Sequence, residues 1–429
     1  MDLAQDLLQF IQRAPTPYHA VAEGVRLLRA AGFRRIEEGD RWSLSPGDRF
    51  AVVRNDGSLI AGIVGRDDPA AAGFRILGAH TDSPNLRVKP NPDLSECGYQ
   101  QIALEPYGGV LLYTWFDREL SLAGRVVLLR NGKLETRLVN FERPVLHVPS
   151  LAIHLQREIR EEGLRLNPQL HISGMLGLGK GISFREHVAA RIREETGQDT
   201  PAVDILAFDL MAFDTRPPER VGAAGEFLCS ARLDNLASCH AALRSLLDSA
   251  DEPCAGTRLI VLYDHEEIGS RSTSGAAGPF LESVLTRIAE NTGNGADKAA
   301  AFARSRLVSV DMAHAVHPNW PDRHERSHRP VIGGGLVLKV NVNQSYATDA
   351  ATAAEFLSLC RDCDVPVQHF VSRSDFVCGS TIGPIAATRT GIATVDVGNP
   401  MLAMHSCREV AGTSDVAPMV RALTRFLAS

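Results

Sequence analysis

Residues 74–82 read Phe-Arg-Ile-Leu-Gly-Ala-His-Thr-Asp. The apolar run from Phe74 to Leu77 is followed by two small residues and then by His80 and Asp82. A short apolar run of this kind is typical of a strand that is buried on both faces. Ligands of open parallel sheets bind beyond the carboxyl ends of the strands, so the polar residues after this run indicate a site.

Strand-like and helical patterns alternate on both sides of this stretch. The first ninety residues predict a helix near residues 1–14 and then strands such as Ser58–Val64, and the alternation resumes after about residue 228. We therefore predict an α/β fold with a mostly parallel central sheet and helices on both faces. The later predicted strands are 258–263, 307–310, 336–340 and 392–397, and the later predicted helices are 235–247, 279–290, 350–360 and 415–427.

The middle of the chain has a different pattern. Segments such as Gly109–Phe116 and Gly124–Arg130 alternate as antiparallel strands do, and one helix is predicted near Leu151–Glu162. This pattern indicates an inserted β-rich domain. The predicted boundaries are residues 91–226 for the insert and residues 1–90 with 227–429 for the α/β domain.

Composition excludes some classes of partner. With 429 residues, 44% of them hydrophobic, the chain can bury a large core, and its net charge of -6 gives no reason to expect a basic surface for nucleic acid. Neither an export signal nor a membrane-spanning stretch is evident, since acidic Asp2 and Asp6 stand where a signal peptide needs basic residues. We expect no nucleic-acid partner and no membrane.

The eight cysteines are irregularly spaced. This spacing fits reduced thiols in a cytoplasmic protein better than a disulfide framework. Cys360 and Cys363 have the spacing of half a zinc knuckle, but no second pair follows them, which favours an ordinary helix end.

Other acids and imidazoles also follow predicted strands or precede a helix. Taken alone, each has an ordinary structural explanation, such as a helix cap for Asp234 or a solvated face for the paired glutamates. Their coincidence at one predicted edge of the sheet indicates a metal centre. The candidates besides His80 are Asp234, Glu266, Glu267, Asp311 and His405.

Local spacing adds detail to this prediction. In an extended segment His80 and Asp82 point to the same side, so the carboxylate can accept the second imidazole N–H and orient the ring. Glu266 and Glu267 point in different directions, so one can bind metal while the other faces the attacking water. Two imidazoles and three carboxylates suit a binuclear centre.

Several segments resemble the aspartyl aminopeptidase family of metallopeptidases, and the resemblance covers essentially the whole chain. It is carried by Gly78–Pro84, Arg232–Leu236, Asp264–Ser270, Val310–Ala315 and Ala403–Glu409, with support from Ala14–Ala20 and Leu151–Arg157.

The resemblance implies roles for the candidate residues. His80 and His405 would each bind one of two zinc ions, Asp234 would bridge them, and Glu267 and Asp311 would complete the two sets of ligands. Glu266 would be the general base. Because the ligands are rich in oxygen, manganese or cobalt is also possible.

The resemblance also implies an assembly. The inserted domain would mediate dimers that build a tetrahedral homododecamer acting on short peptides. His154 matches a family histidine that either binds metal or acts in a neighbouring subunit's site. From its pattern alone, beside Leu151 and Leu155, His154 is more typical of a packed core residue.

Two further positions bear on substrate choice. Lys339 matches a family lysine near the pocket for the N-terminal side chain, where a cation favours Asp or Glu, and Tyr346 would line the site. A solvated strand-end lysine is the ordinary alternative. The histidines at 314, 317, 324 and 328 lack the spacing of one helical face, so we interpret them as rim, pocket or intersubunit residues.

We therefore predict a cytoplasmic zinc aminopeptidase with a preference for acidic N-terminal residues. A related two-metal carboxypeptidase or deacylase is a second hypothesis, and a non-catalytic metal-binding scaffold is a third. A scaffold has no use for an extra carboxylate such as Glu266, and structural zinc prefers cysteine-rich ligand sets.

Overall fold

The computed structural model describes residues 2–179, 181–292 and 297–429. The chain forms two compact units. None of the helices in these described ranges is both long enough and apolar enough to cross a bilayer. The first unit comprises residues 1–82, 218–404 and 409–429, and the second comprises residues 83–217 and 405–408.

Most helices begin at a polar residue that caps the free backbone N–H groups of the first turn. Asp2 accepts hydrogen bonds from the backbone of Ala4 and Gln5, and Ser183 and Asp349 form reciprocal capping boxes. The helices are α1 Leu3–Arg13, α2 Pro17–Ala30, α3 Pro69–Ala72, α4 Ile159–Glu162, α5 Phe184–Thr196, α6 Leu233–Asp248, α7 Phe280–Thr292, α8 Lys298–Arg304, α9 Ala350–Asp362, α10 Ile382–Thr390 and α11 Val416–Leu427.

The strands follow the apolar runs of the sequence. They are β1 Arg34–Arg35, β2 Arg49–Arg54, β3 Ser58–Ile63, β4 Phe74–His80, β5 Asn85–Glu96, β6 Tyr99–Tyr107, β7 Leu120–Arg130, β8 Lys133–Asn140, β9 Gly174–Leu178, β10 Ile205–Asp214, β11 Glu219–Val221, β12 Phe227–Ser230, β13 Thr257–Tyr263, β14 Arg306–Val310, β15 Ala313–His314, β16 Leu336–Val340, β17 Val367–Val371, β18 Ala393–Gly398, β19 Pro400–Leu402 and β20 Glu409–Gly412.

The first unit is built on a nine-stranded sheet of order β1-β2-β3-β13-β4-β14-β18-β16-β17. The central neighbours β13, β4, β14 and β18 are parallel, whereas β3 pairs antiparallel with both β2 and β13. The predicted mostly parallel sheet is confirmed. A second sheet of this unit has the order β11-β12-β20-β19-β15.

Helices cover both faces of the large sheet, as predicted. One apolar cluster joins α1, α2, α6, α9 and α11 to side chains such as Leu77 and Val308, and the other joins α7, α8 and α10 to Ile76 and Leu307. Successive residues of a strand point to opposite faces, so each central strand contributes to both clusters. Each fully buried Leu, Ile or Val contributes about 1.5–3 kcal/mol to folding.

The second unit contains a six-stranded antiparallel sheet of order β8-β7-β10-β5-β6-β9. Helix α5 packs on it through Phe184, Val188 and Ile192, and the Phe184 ring lies 5.4 Å from that of Phe208. This unit begins at residue 83 and ends its main segment at residue 217, earlier in both cases than the predicted boundaries at 91 and 226. The first shift follows because β5 starts at Asn85 and pairs with β6.

Two predicted elements were wrong. Residues 109–116 alternate like a strand but contain a 3₁₀ helix at Leu112–Trp115, which Thr114 stabilises by donating its hydroxyl to Leu111. The predicted helix Leu151–Glu162 is reduced to a 3₁₀ turn at Ile153–Leu155 and the four-residue α4. Leu151, Ile153 and Leu155 remain exposed, and an amphipathic stripe without a packing surface gives a helix little stability.

None of the eight cysteines forms a disulfide in the described part of the chain. Cys360 and Cys363 lie at the end of α9, where the Cys363 thiol contacts the carbonyl of Leu359 at 3.2 Å. This is the helix end that the sequence favoured over a metal knuckle.

Candidate metal centre

The acids and the imidazole of the first unit lie at the carboxyl ends of adjacent strands. His80 is the last residue of β4, directly opposite Tyr263 at the end of β13. Glu266 and Glu267 begin a 3₁₀ turn that follows β13, and Asp311 follows β14. Because β13, β4 and β14 are parallel neighbours, their ends bring these side chains together.

His80 is at the centre of this cluster and is completely buried. Its Nε2 lies 3.4 Å from Asp234 Oδ1, 3.5 Å from Asp311 Oδ1 and 3.9 Å from Glu266 Oε2. Ligand atoms of His80, Asp234 and Glu267 all lie within 4.8 Å of one another. One edge of the ring therefore faces carboxylates from several elements.

Asp82 connects His80 to the two glutamates. Its carboxylate accepts hydrogen bonds from the backbone N–H groups of Glu266 and Glu267, both at 3.1 Å. The other ring nitrogen, His80 Nδ1, lies 3.4 Å from Asp82 Oδ1 and 3.0 Å from the Asp82 carbonyl oxygen. Asp82 thus fixes both the ring and the turn that carries the glutamates.

Asp234 is positioned by residues far away in sequence. Its backbone N–H donates to Glu409 Oε2 at 3.1 Å. The side-chain amide of the next residue, Asn235, donates to the carbonyl of Val310 at 2.9 Å. Glu409 is itself buried. The sequence prediction gave no role to Glu409, although it belongs to a motif segment, because nothing local shows that it holds the backbone of Asp234.

Cys239 is a second residue that sequence reasoning missed. It lies on α6, is fully buried, and places its thiol 2.9 Å from the carbonyl oxygen of His80. Burial raises the pKa of the Cys239 thiol to about 12. The thiol is thus a neutral packing group behind His80.

The cluster carries more negative charge than its surroundings balance. Burial raises the pKa of Glu266 to about 8, and Asp311, Asp82 and Asp234 act in the same direction. Burial and the nearby Asp234 raise the pKa of Glu267. Burial disfavours charge on His80, but Asp234, Asp311 and Asp82 outweigh burial and raise the pKa of His80 well above its usual value.

A divalent cation fits this set of side chains. Carboxylate oxygens and imidazole nitrogens are ligands that zinc accepts, and open sites of mixed His and acid ligands are those of catalytic zinc. A cation among the acids favours their ionised forms, so it offsets the charge repulsion that raises both glutamate pKa values. The donor chemistry of His80, Asp234, Glu267 and Asp311 is therefore that of a metal centre.

Lys339 is also buried, with 2% of its surface exposed. Its ammonium donates to the carbonyl of Met312 at 3.0 Å and lies 3.7 Å from Asp311 Oδ2. The same ammonium lies 5.2 Å from the centre of the Tyr346 ring. The solvated strand-end lysine considered as the alternative is therefore wrong.

A cavity of about 310 Å³ in the first unit is lined by Tyr346 and by side chains from the histidine-rich segment. His314, His317 and His324 are among them, which agrees with their interpretation as pocket residues. Arg323 and Arg373 also line this cavity, so its wall is rich in cationic and aromatic groups.

The remaining predicted site residues belong to the second unit. His405 Nδ1 lies 3.1 Å from the carbonyl oxygen of Gly109, and its own carbonyl accepts from Leu111 at 3.1 Å. His154 lies in the 3₁₀ turn Ile153–Leu155 and is exposed, so the packed core residue considered for it is wrong.

The sheet, the helices on both its faces and the buried cluster of acids and imidazole at the strand ends define a metal-dependent hydrolase of the zinc exopeptidase type. Comparison with known proteins gives the family. The chain belongs to the M18 peptidases, because the family model described as aminopeptidase I zinc metalloprotease matches residues 10–427.

Similar proteins agree with this assignment. A probable M18 family aminopeptidase 2 of Pseudomonas aeruginosa is 49% identical over 100% of this chain and 98% of its own length. A similarly described protein of Azotobacter vinelandii is 47% identical over the same shares.

Solved structures have the same fold. A chain of the cryo-EM structure of the Ape4 and Nbr1 complex superposes with a TM-score of 0.96 at 37% identity, covering 100% of this chain and 85% of that one. A chain of the S. cerevisiae mApe1 dodecamer superposes with a TM-score of 0.87 at 30% identity, covering 99% of this chain and 96% of that one. The protein is thus a zinc aminopeptidase, a hydrolase, and the family resemblance in the sequence is confirmed.

Proposed function

We propose that this aminopeptidase removes N-terminal residues from short peptides, with a preference for Asp and Glu, and uses Glu266 as its general base. The observation that carries the proposal is the buried cluster in which His80 faces Asp234, Asp311 and Glu266 within 3.9 Å. An extra carboxylate beside metal-ligating side chains is what hydrolysis requires and what a structural site lacks.

The proposed ligands of two zinc ions are His80, Asp234, Glu267, Asp311 and His405, and manganese or cobalt would also suit this set. When bound, such ions lower the pKa of water and stabilise negative charge on the scissile carbonyl. Asp82 orients His80 and holds the backbone of both glutamates. A metal titration followed by activity and bound-metal analysis measures the number and identity of the ions.

Glu266 is suited to proton transfer. Burial raises its pKa above that of an exposed glutamate, whereas a bound cation would favour its ionised form, so the carboxylate can be present as a base and still hold the accepted proton. Its carboxylate would accept a proton from the attacking water and deliver it to the departing amine. Its backbone N–H is held by Asp82, which keeps the turn in place during both transfers.

Replacing Glu266 tests this role, with Glu267 as the matched control. Glu266→Gln should lower kcat by about 10²–10⁴-fold while bound zinc is unchanged, because a general base contributes that much. Glu267→Gln should lower the bound zinc instead. Unchanged activity in Glu266→Gln contradicts the assignment of the base.

The acidic preference is proposed from the cavity that Tyr346 lines and from Lys339, whose ammonium lies 5.2 Å from the centre of the Tyr346 ring. Lys339 lies in a buried environment, where its charge is weakly screened and would favour a negative substrate side chain. Arg323, Arg373 and His324 line the same cavity and add to this bias. Comparing kcat/KM for Asp, Glu and Leu substrates gives the preference directly.

Lys339 also lies near Asp311, so Lys339→Met should slow the hydrolysis of all substrates. The informative quantity is therefore the Asp-to-Leu ratio of kcat/KM, which should fall in Lys339→Met and remain near wild type in Tyr346→Phe. An unchanged ratio in Lys339→Met would remove this residue from the specificity proposal.

Amine-blocked peptides separate the related enzyme classes. After chelation and readdition of zinc, manganese or cobalt, the proposed aminopeptidase should cleave only substrates with a free amine. Cleavage of the blocked control would favour a carboxypeptidase or deacylase. Failure to cleave any substrate with any metal would favour a non-catalytic scaffold.

We also propose a homo-oligomer in which the second unit mediates dimers, up to a tetrahedral dodecamer. The support is the likeness to the S. cerevisiae mApe1 dodecamer and the apolar side chains that the second unit exposes. The exposed large apolar residues between positions 151 and 182 of this unit are Leu151, Ile153, Leu155, Leu164, Leu170, Leu178 and Ile182.

Light scattering tests the assembly. Leu155 is 73% exposed, so Leu155→Asp should reduce the assembled mass without unfolding the chain. A monomeric mass for the wild-type protein would overturn the proposal. His154 lies beside Leu155 and is tested by His154→Gln. Low activity with an unchanged amount of bound zinc would support action of His154 in a neighbouring subunit's site. A loss of bound zinc would support metal binding.

Eight cysteines without a disulfide among the described residues fit a reducing cytoplasm, which we propose as the compartment. Fractionation of cells that express the tagged full chain, followed by immunoblotting of the soluble, membrane and exported fractions, tests this assignment.

A further inference from the structure

A cleft of about 590 Å³ lies in the first unit at the amino ends of β4, β14 and β18, beside α9 and α11. It is at the opposite end of these parallel strands from His80 and Asp311. Along β4, Arg75 and His80 are separated by roughly 17 Å at the usual rise of a strand. The cleft is therefore distinct from the metal centre.

Four arginines line this cleft, namely Arg75, Arg304, Arg306 and Arg425. The acids in its lining are Glu355 and Asp362. Glu355 is already engaged, because it receives two hydrogen bonds from Arg306, at 2.7 Å from Nε and 3.0 Å from Nη2. The positive charge of the cleft is thus only partly balanced.

Arg75 is the least satisfied of these cations. Its Cα is paired in register with that of Arg306 on the neighbouring parallel strand, so the two side chains leave the sheet on the same face. Arg75 Nη1 is buried and has no hydrogen-bond partner within the described ranges. Burial, reinforced by the charge of Arg306, lowers the pKa of Arg75.

An arginine cannot escape this cost by losing its proton, because its pKa stays above any physiological pH. Arg75 is half-buried, and a buried guanidinium nitrogen without a partner, such as its Nη1, destabilises the fold unless an anion binds to it. Arg304 and Arg425 are exposed at the rim of the cleft, and neither makes an ion pair with another described residue. They would add two more forked donors to the lining of the same cleft.

We propose that this cleft binds a small multivalent oxyanion, a phosphate group or a dicarboxylate, with half-buried Arg75 as the inner contact and exposed Arg304 and Arg425 at the rim. Guanidinium forks match the paired oxygens of such anions, and the volume lies within the range of small-molecule sites. Binding would supply the partner that Arg75 Nη1 lacks among the described residues.

The test is thermal unfolding of the zinc-loaded protein in inorganic phosphate or succinate, against chloride at the same ionic strength. The melting temperature should rise with at least one of the two anions. The larger rise identifies phosphate or dicarboxylate as the better chemistry. If neither anion raises the melting temperature, the proposal is overturned.

Variants separate this cleft from anion binding at the metal centre. Arg75→Gln should weaken the affinity for the anion, measured from the concentration dependence of the melting temperature, by about tenfold or more, as expected for loss of one charge-assisted partner. In chloride the variant should be no less stable than wild type. Arg425→Gln should also weaken the affinity for the anion. Because Arg425 is exposed, this substitution leaves the packing of the core unchanged. Exposed Arg160, in the second unit, gives the control Arg160→Gln, which should respond like wild type.

Two results would contradict the proposal. An anion response of wild-type size in both Arg75→Gln and Arg425→Gln would mean that the anion binds elsewhere. A lower stability of Arg75→Gln in chloride would mean that Arg75 serves the fold rather than a ligand. Neither result depends on peptidase activity.

Discussion

Replacing Asp82 by Asn should separate a positioning role at the metal centre from an ordinary structural one. The Asp82 carboxylate receives the backbone N–H groups of Glu266 and Glu267 at 3.1 Å and lies 3.4 Å from His80 Nδ1. An amide keeps one acceptor oxygen and presents an NH₂ group to the second backbone donor, so Asp82→Asn should lose one charge-assisted hydrogen bond. That loss costs about 1.5–3 kcal/mol of folding stability.

Asp415 provides a matched control for this substitution. Its buried carboxylate also bridges two backbone N–H groups, those of Gly333 at 2.7 Å and Gly335 at 3.1 Å. Asp415→Asn should therefore lose a similar amount of stability. Since Asp415 does not contact His80 or the glutamates, the control should keep its zinc affinity.

The measurements are urea unfolding, zinc competition with a chelator, and kcat/KM. Asp82→Asn should lower zinc affinity or activity by about 10–100-fold beyond the control, the usual effect of removing a residue that orients a metal ligand. If the two variants have equal zinc affinity and equal kcat/KM, Asp82 does not orient the centre and the reasoning is refuted.

Three other predictions follow from the structure. Burial lowers the pKa of His19 to about 4, so the unfolded chain binds a proton first as the pH falls below 6.5. The free energy of unfolding should therefore decline between pH 6.5 and pH 4 by on the order of 3 kcal/mol. His19→Gln should flatten the pH dependence of the urea midpoint. Iodoacetamide should label exposed Cys97 in the native protein but reach buried Cys239 only after unfolding, as mass spectrometry of the peptides would show; early labelling of Cys239 would contradict its burial. Phe184→Ala should destabilise the second unit by about 3–5 kcal/mol because the ring is fully buried against Phe208, and a loss near zero in urea unfolding would contradict this packing.

The strands that position the metal centre could be predicted because their sequences are short, continuous and apolar. A strand such as Thr257–Tyr263 is buried along its whole length, and burial on both faces leaves a continuous signal in sequence. The polar residues that follow such strands could then be grouped at one edge by the rule for parallel sheets. The predicted acids and His80 of the first unit do lie close together there.

Contacts between distant segments could not be predicted in this way. Glu409 holds the backbone of Asp234, and Cys239 contacts the carbonyl of His80, but neither residue carries a local pattern that indicates its partner. The helix predicted at Leu151–Glu162 was wrong for a related reason. Its apolar spacing is helical, but helix stability depends on a packing surface, and these side chains are exposed.

The dispersion of the metal-centre candidates along the chain has a consequence for biosynthesis. His80 leaves the ribosome long before Asp311, and at about 5–20 residues per second the interval is on the order of ten to fifty seconds. During that interval the nascent chain holds an incomplete set of the candidate ligands. Zinc loading of this centre should therefore follow translation of most of the chain, and products that stop before β14 should leave the ribosome without a complete site.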